Sequence, residues 1–179
     1  MMNIQEEKCL IAYFSRKGNN YVSGEIVNLP TGNTEVVAKM IQEMTESDVL
    51  RIDTLNSYPA DYTETTEVAQ KELRENARPR LSSHVENMDS YNVVFVGYPI
   101  WWGTIPMPVA TFLSEYDFSG KTVVPFCTHE GSSLGRSVMD IKELCPQSTI
   151  LDGLAVRGAE VRNARNEVSE WLRKLELIG

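Results

Sequence analysis

The chain has 179 residues, 42% hydrophobic and 23% charged, the composition of an ordinary globular protein, and its length suits one well-buried domain over residues 1–179. A formal charge of -8 excludes a broad electrostatic grip on nucleic acid or on an anionic membrane, since either needs a basic footprint. Three cysteines without a C-x-x-C pair exclude a disulfide framework; with a polar stretch at residues 1–8 and no apolar run of membrane-spanning length, the expected location is the reducing cytoplasm.

Cys9-Leu10-Ile11-Ala12-Tyr13-Phe14-Ser15 predicts a buried first strand that ends in a hydroxyl. Residues 16–30, with Gly18, Asn19, Asn20, Gly24 and Pro30, read as a long polar loop, and loops of that length in a compact domain are usually functional or mobile. After Thr31-Gly32-Asn33-Thr34 the apolar positions Val36, Val37, Met40, Ile41 and Met44 recur at helical spacing, so a helix opens near Asn33 or Thr34. Asp48-Val49-Leu50-Arg51-Ile52-Asp53 alternates as an edge strand does. Residues 61–77 predict a surface helix with a sparse apolar stripe, Val68 and Leu73.

Tyr91-Asn92-Val93-Val94-Phe95-Val96 is a central strand buried on both faces. Pro99, Gly103 and Pro106 end it in a loop that carries Trp101 and Trp102, two indoles that cannot both point into one core. Residues 107–116 predict a helix with Val109, Phe112 and Leu113 inward. Gly120-Lys121 turns into the strand Thr122-Val123-Val124-Pro125-Phe126-Cys127-Thr128. The loop His129-Glu130-Gly131-Ser132-Ser133 and a helix with Val138, Ile141 and Leu144 follow. Residues 150–156 give a last strand interrupted by Asp152 and Gly153, and residues 161–178 a closing helix with Val168, Trp171, Leu172 and Leu175 on one side. This alternation predicts an α/β fold, a three-layer α/β/α sandwich on a five-stranded parallel sheet of order 2-1-3-4-5. The loops after the first, third and fourth sheet strands then converge on one cleft.

Each loop brings its own chemistry. Ser15, Thr31, Asn33 and Thr34 offer hydroxyl and amide groups, with Gly32 at the start of a helix whose unpaired N–H groups can hold a phosphate dianion, although the same residues would serve as an ordinary cap. There is no Gly-Lys-Ser/Thr and no G-x-G-x-x-G. The tryptophan loop offers indole faces to a planar aromatic ligand or to a protein partner. In the third loop His129 and Glu130 suggest acid/base chemistry, yet His-Glu lacks a second histidine for zinc, and no metal is expected. Gly131-Ser132-Ser133-Leu134-Gly135 matches the G-x-S-x-G of α/β hydrolases, but no histidine follows Ser133, which argues against that class. Contacts to a ligand edge, with Ser132 or Ser133 capping the next helix, fit better. Cys127 reads as a packing residue.

Taken together, Ile11-Ala12-Tyr13-Phe14-Ser15, Thr31-Gly32-Asn33-Thr34 with Val37 and Ala38, Gly97-Tyr98-Pro99-Ile100-Trp101-Trp102-Gly103, and Gly120-Lys121 with Phe126-Cys127-Thr128-His129-Glu130-Gly131 resemble the flavodoxin family, in its flavodoxin-like FMN-binding oxidoreductase branch. The resemblance implies a noncovalent FMN. Its phosphate would lie at Ser15 and at Thr31, Gly32, Asn33 and Thr34; its ring would lie between Pro99, Ile100, Trp101, Trp102, Gly103 and Thr104 on one side and Thr128, His129, Glu130, Gly131 and Ser132 on the other. Gly103 is the candidate for the peptide that turns over beside the flavin in this family. Two departures stand out: residues 16–30 split the phosphate loop, leaving Gly18-Asn19-Asn20 as an alternative counterpart, and the third loop lacks the tyrosine that covers the outer flavin face in many flavodoxins. That face is open to substrate or covered by the insertion.

The implied activity is electron transfer through FMN to a redox partner protein or a small quinone-like acceptor, with NADH or NADPH as a candidate donor and His129 as a candidate catalytic group. The competing reading is a cofactor-free module that uses the tryptophan loop for a protein partner.

Overall fold

The computed structural model describes residues 8–179, so the polar stretch at residues 1–8 falls, but for Lys8, outside the described residues. The first strand, β1 (Cys9–Tyr13), is buried at every position, as its unbroken apolar run requires. It pairs in parallel with β4 (Asp48–Arg51) on one side and β5 (Val93–Pro99) on the other. β5 pairs in parallel with β6 (Thr122–His129). The sheet order is therefore β4-β1-β5-β6 and then the final strand position, the 2-1-3-4-5 order of a doubly wound sheet. That final position is shared by two short strands, β7 (Thr149–Ile150) and β8 (Leu154–Arg157), each parallel to β6. Residues 150–156 thus form no single strand: Asp152 and Gly153 break the run, and the chain rejoins β6 further along.

Two cores cover the two faces of the sheet. On one face α1 (Asn33–Thr45) and α5 (Arg165–Lys174) set Val37, Ile41, Val168 and Leu172 against Ile11, Phe95 and Phe126. On the other α3 (Met107–Glu115) and α4 (Ser137–Leu144) set Phe112, Leu113 and Ile141 against Val94, Val96 and Tyr98. The two-residue alternation along β5 sends its side chains to opposite cores, and each fully buried large side chain contributes about 1.5–3 kcal/mol. The expected closing helix over residues 161–178 is shorter, because a 3-10 segment, Gly158–Asn163, precedes α5.

The helix expected over residues 61–77 is α2 (Tyr62–Arg74), capped by the Asp61 carboxylate, which accepts the Glu64 N–H at 2.9 Å. It buries Thr65 and Ala69, while Val68 is exposed and Leu73 packs only in part. Residues 16–30 are not an irregular loop. They fold into an antiparallel hairpin, β2 (Gly18–Val22) and β3 (Glu25–Leu29), separate from the main sheet. Its turn has Ser23 at φ 51 and Gly24 at φ 88, the left-handed pair that closes a two-residue hairpin with the natural strand twist. Among the described residues no helix is long and apolar enough to cross a membrane.

Candidate functional site

The loops that leave the carboxyl ends of β1, β5 and β6 meet around a cavity of about 360 Å³. Of the residues expected at the site, Asn33, Thr34, Pro99, Ile100, Trp101, Trp102, Gly103, Thr128, His129, Glu130, Gly131 and Ser132 line it. Ser15, Thr31, Gly32 and Thr104 do not. Asn20, from the alternative counterpart Gly18-Asn19-Asn20, lines it, and so do Arg16, Tyr21, Tyr62 and Gly158, which have no part in the expected site.

One end of the cavity is the amino terminus of α1. The Asn33 and Thr34 amides find no acceptor among the described residues, as expected of a first helical turn. The Glu35 amide is taken by Ser15 Oγ at 3.1 Å, so Ser15 serves as the cap from outside the helix. Arg51 fixes that cap by donating to the Ser15 carbonyl at 3.0 Å while pairing with Glu35 at 2.6 Å. Burial raises the Glu35 pKa, but Lys39 and Arg51 outweigh it and hold the carboxyl below its usual range. Gly32 explains itself by contact: a Cβ there would stand 2.2 Å from Ser15 Oγ and 2.6 Å from the Arg16 carbonyl. The Thr34 and Thr128 hydroxyls hydrogen-bond at 2.8 Å, joining this terminus to the end of β6. Among the described residues Asn33 Oδ1 finds no hydrogen-bond partner though it is buried, a costly arrangement for a native side chain.

The tryptophan wall is a tight turn. Trp101 and Thr104 exchange backbone hydrogen bonds at 3.0 and 3.2 Å, and Trp102 and Gly103 between them have φ of 53 and 80. The left-handed conformation is easy for Gly103 and strained for Trp102. The Gly103 carbonyl accepts the Arg136 N–H at 2.9 Å. The indoles part, as their adjacency demanded. Trp101 packs edge-on against Phe14 and Tyr58, with centroids 5.2 Å apart in both pairs, whereas Trp102 is 48% exposed and donates from Nε1 to the Thr66 carbonyl at 2.9 Å. Thr104 lies behind this wall, fully buried and hydrogen-bonded to the Asp140 carboxylate.

The opposite wall is the loop after β6. His129 Nδ1 accepts the N–H groups of Gly131 at 2.9 Å and Ser133 at 3.1 Å, which leaves the neutral ring's proton on Nε2. Burial and then Arg157 lower the His129 pKa; Glu130 and Glu160 pull the other way without prevailing. Neither Ser132 nor Ser133 caps α4, whose N-cap is Arg136 with no side-chain bond; Ser133 instead sits at φ 54 inside the turn. Cys127 is fully buried, and burial pushes its thiol up to about 12, which leaves it an unreactive packing group.

The hairpin closes the third side. Arg16 donates to the carbonyls of Asn19, Pro59 and Ala60 at 3.0, 3.0 and 2.9 Å, so its base is pinned to the segment before α2. Tyr21 stacks on Tyr62 of α2, with centroids 6.1 Å apart and planes 24° apart. The signal for Tyr21 was in the sequence, as an aromatic two residues before a Ser-Gly turn; that for Tyr62 was not, because only tertiary packing brings α2 to the cleft.

A profile of the flavodoxin family matches residues 8–175. The chain belongs to the flavodoxin family. A crystal structure of a Bacteroides eggerthii protein assigned to the flavoproteins is similar at 30% identity, covering 96% of this chain and 99% of its own, with a TM-score of 0.78. A second such protein, from Bacteroides uniformis, shares 26% identity over 93% of this chain and 98% of its own, with a TM-score of 0.72. A Lactobacillus acidophilus flavoprotein solved in complex with FMN shares the fold at 22% identity and a TM-score of 0.64, covering 88% of this chain and 97% of its own. No curated protein sequence matches significantly. Within this flavodoxin, the hairpin of residues 18–29 sits inside the segment that joins β1 to α1.

Proposed function

We propose that this flavodoxin holds noncovalent FMN in the 360 Å³ cavity and passes its electrons to a redox partner protein or a small quinone-like acceptor, working in the cytoplasm. The observation that carries the reading is the pairing of two opposite chemistries in one cavity, free helix amides at the α1 end and aromatic walls at the other. The cavity's polar groups fit the group proposed. Asn33 lines the cavity and its Oδ1 lacks a donor among the described residues, which a hydroxyl of the bound group would supply. Bound there, FMN supplies the redox chemistry, one or two electrons at a time.

The chain's own residues bind and orient. The Asn33 and Thr34 amides would hold the anion, Trp101 to Gly103 and the loop of His129 to Ser132 would take the flat ring between them, and Tyr21 with the hairpin would exclude water. His129 acts as a fixed Nε2–H donor, not as an acid, because its imidazole stays neutral at pH 7. Cys9, Cys127 and Cys145 are all buried and pack as small apolar side chains.

The deciding experiment is the absorption spectrum of the purified protein together with an FMN titration read by quenching of flavin fluorescence. Flavin bands and a saturable quench support the reading. A colourless protein that leaves FMN fluorescence untouched would favour the cofactor-free module. Stopped-flow mixing with NADH or NADPH then separates a reductase, whose flavin bleaches, from a carrier, whose flavin does not.

A further inference from the structure

Beside the first cavity lies a second, of about 310 Å³, between the hairpin, α2 and the tryptophan turn. It has the volume of roughly ten waters and falls at the lower end of small-molecule sites. Arg16, Asn20, Tyr62, Ile100, Trp101 and Trp102 line both cavities, so the two adjoin. Thr65, Thr66 and Ala69 line the second without reaching the first.

Many of the polar groups of this second cavity are committed elsewhere. Thr65 Oγ1 shares its one proton between the carbonyls of Pro59 and Asp61, at 2.8 and 2.9 Å, and Thr66 Oγ1 donates to that of Thr63 at 2.7 Å. Asn20 Nδ2 donates to the carbonyls of Arg16 and Gly18. What remains is a set of flat or apolar surfaces, from Tyr62, Trp101, Trp102, Ile100 and Ala69, the Tyr62 hydroxyl and Trp101 Nε1, which make no hydrogen bond among the described residues, and the charge of Arg16. That guanidinium spends three of its N–H groups on carbonyls and keeps two. Among the described residues it forms no ion pair with a carboxylate, Asp61 acting on it only from farther away. A fixed cation beside aromatic faces, with the threonine hydroxyls committed to carbonyls and N–H and O–H donors left over, selects against cations and for a flat ring that carries negative charge.

We infer that the second cavity is a separate ligand site that takes a flat aromatic anion next to the cofactor. The inference rests on the larger cavity being the FMN site, and it gives the place and chemical class of a small acceptor within that reading.

Calorimetric titration of the FMN-loaded protein with naphthalene-2-sulfonate tests it, with uncharged 2-naphthol as the comparison. The sulfonate should bind in one equivalent, and roughly tenfold more tightly than 2-naphthol, the contribution of a charge-assisted contact. Ala69→Phe fills the second cavity from α2 and should abolish sulfonate binding while FMN affinity stays within about twofold, as expected for separate sites. Ala69→Leu, a smaller filling, decides the matter if the phenylalanine variant loses FMN as well. No sulfonate binding to the loaded wild type, equal affinity for the two naphthalenes, or binding indifferent to the filled cavity would each overturn the inference. A protein that takes no FMN fails the functional reading instead, and the separate FMN titration tells the two failures apart.

Discussion

The backbone N–H of Ser23 donates to Oε1 of Glu130 at 2.7 Å, across 107 positions of sequence. This bond ties the tip of the hairpin to the loop after β6, so the two walls on either side of the cavity mouth are latched together. Glu130→Ala removes the latch. A hydrogen bond to a carboxylate at an exposed position contributes about 1 kcal/mol, so FMN affinity should fall roughly fivefold, chiefly through faster release. Stopped-flow displacement of FMN measures that release, and Glu130→Gln, which keeps a neutral acceptor, should fall between the two. Native release from the alanine variant would mean that the hairpin does not cover the ligand.

The parting of the two indoles predicts different costs for their removal. Trp101 supports Phe14 and Tyr58 from below the cavity, so Trp101→Ala should lower stability by about 2–3 kcal/mol, less than for a fully enclosed ring, and weaken FMN too. Trp102 is half exposed and loses only the contact from Nε1 to Thr66, so Trp102→Ala should change stability by less than about 1 kcal/mol and act mainly on FMN affinity or potential. Thermal melts and flavin titrations of both variants separate these effects. If neither variant alters affinity or potential, the ring does not lie against this turn.

The sheet was legible in the sequence because a strand buried on both faces can only be a long apolar run, and Ile11 to Phe14 and Val93 to Val96 are such runs. The loops that line the cavity were legible for a related reason: hydroxyls, glycines and paired indoles directly after buried strands have few structural uses there. The hairpin escaped because its strands are short, polar and only half covered, so no apolar alternation marks them; Ser23-Gly24 between Tyr21-Val22 and Ile26-Val27 was the available signal. That Ser15, Gly32 and Thr104 stand behind the cavity lining could not be read at all, since capping and close approach are properties of the packed backbone.

Gly32 offers a test of the phosphate end that does not depend on the ring. A methyl group at this position collides with Ser15 Oγ and the Arg16 carbonyl, and so must push the cap away from the start of α1. Gly32→Ala should therefore reduce FMN affinity by roughly tenfold or more while leaving riboflavin, which lacks the phosphate, within about twofold. Parallel titrations with the two flavins measure the ratio. An equal loss for both would place the phosphate elsewhere.

Two backbone N–H groups point at His129 Nδ1, and a proton on that nitrogen would face both of them. Separately, burial first and Arg157 second hold the imidazole below its ordinary value of 6.5. A group whose pKa is depressed in the folded state takes up its proton more readily when the chain, or the loop, is unfolded. Its stabilising contribution is then complete above 6.5 and is lost as the pH falls through the lower folded value. Loop order, and FMN affinity with it, should hold level above that point and decline on acidification. His129→Gln has no titrating ring and should flatten the decline, although its affinity at neutral pH is lower. Flavin titrations of both proteins from about pH 5 to 7 make the comparison. Equal slopes would assign the acid loss to another group, and the Nδ1 bonds would then serve only to shape the turn.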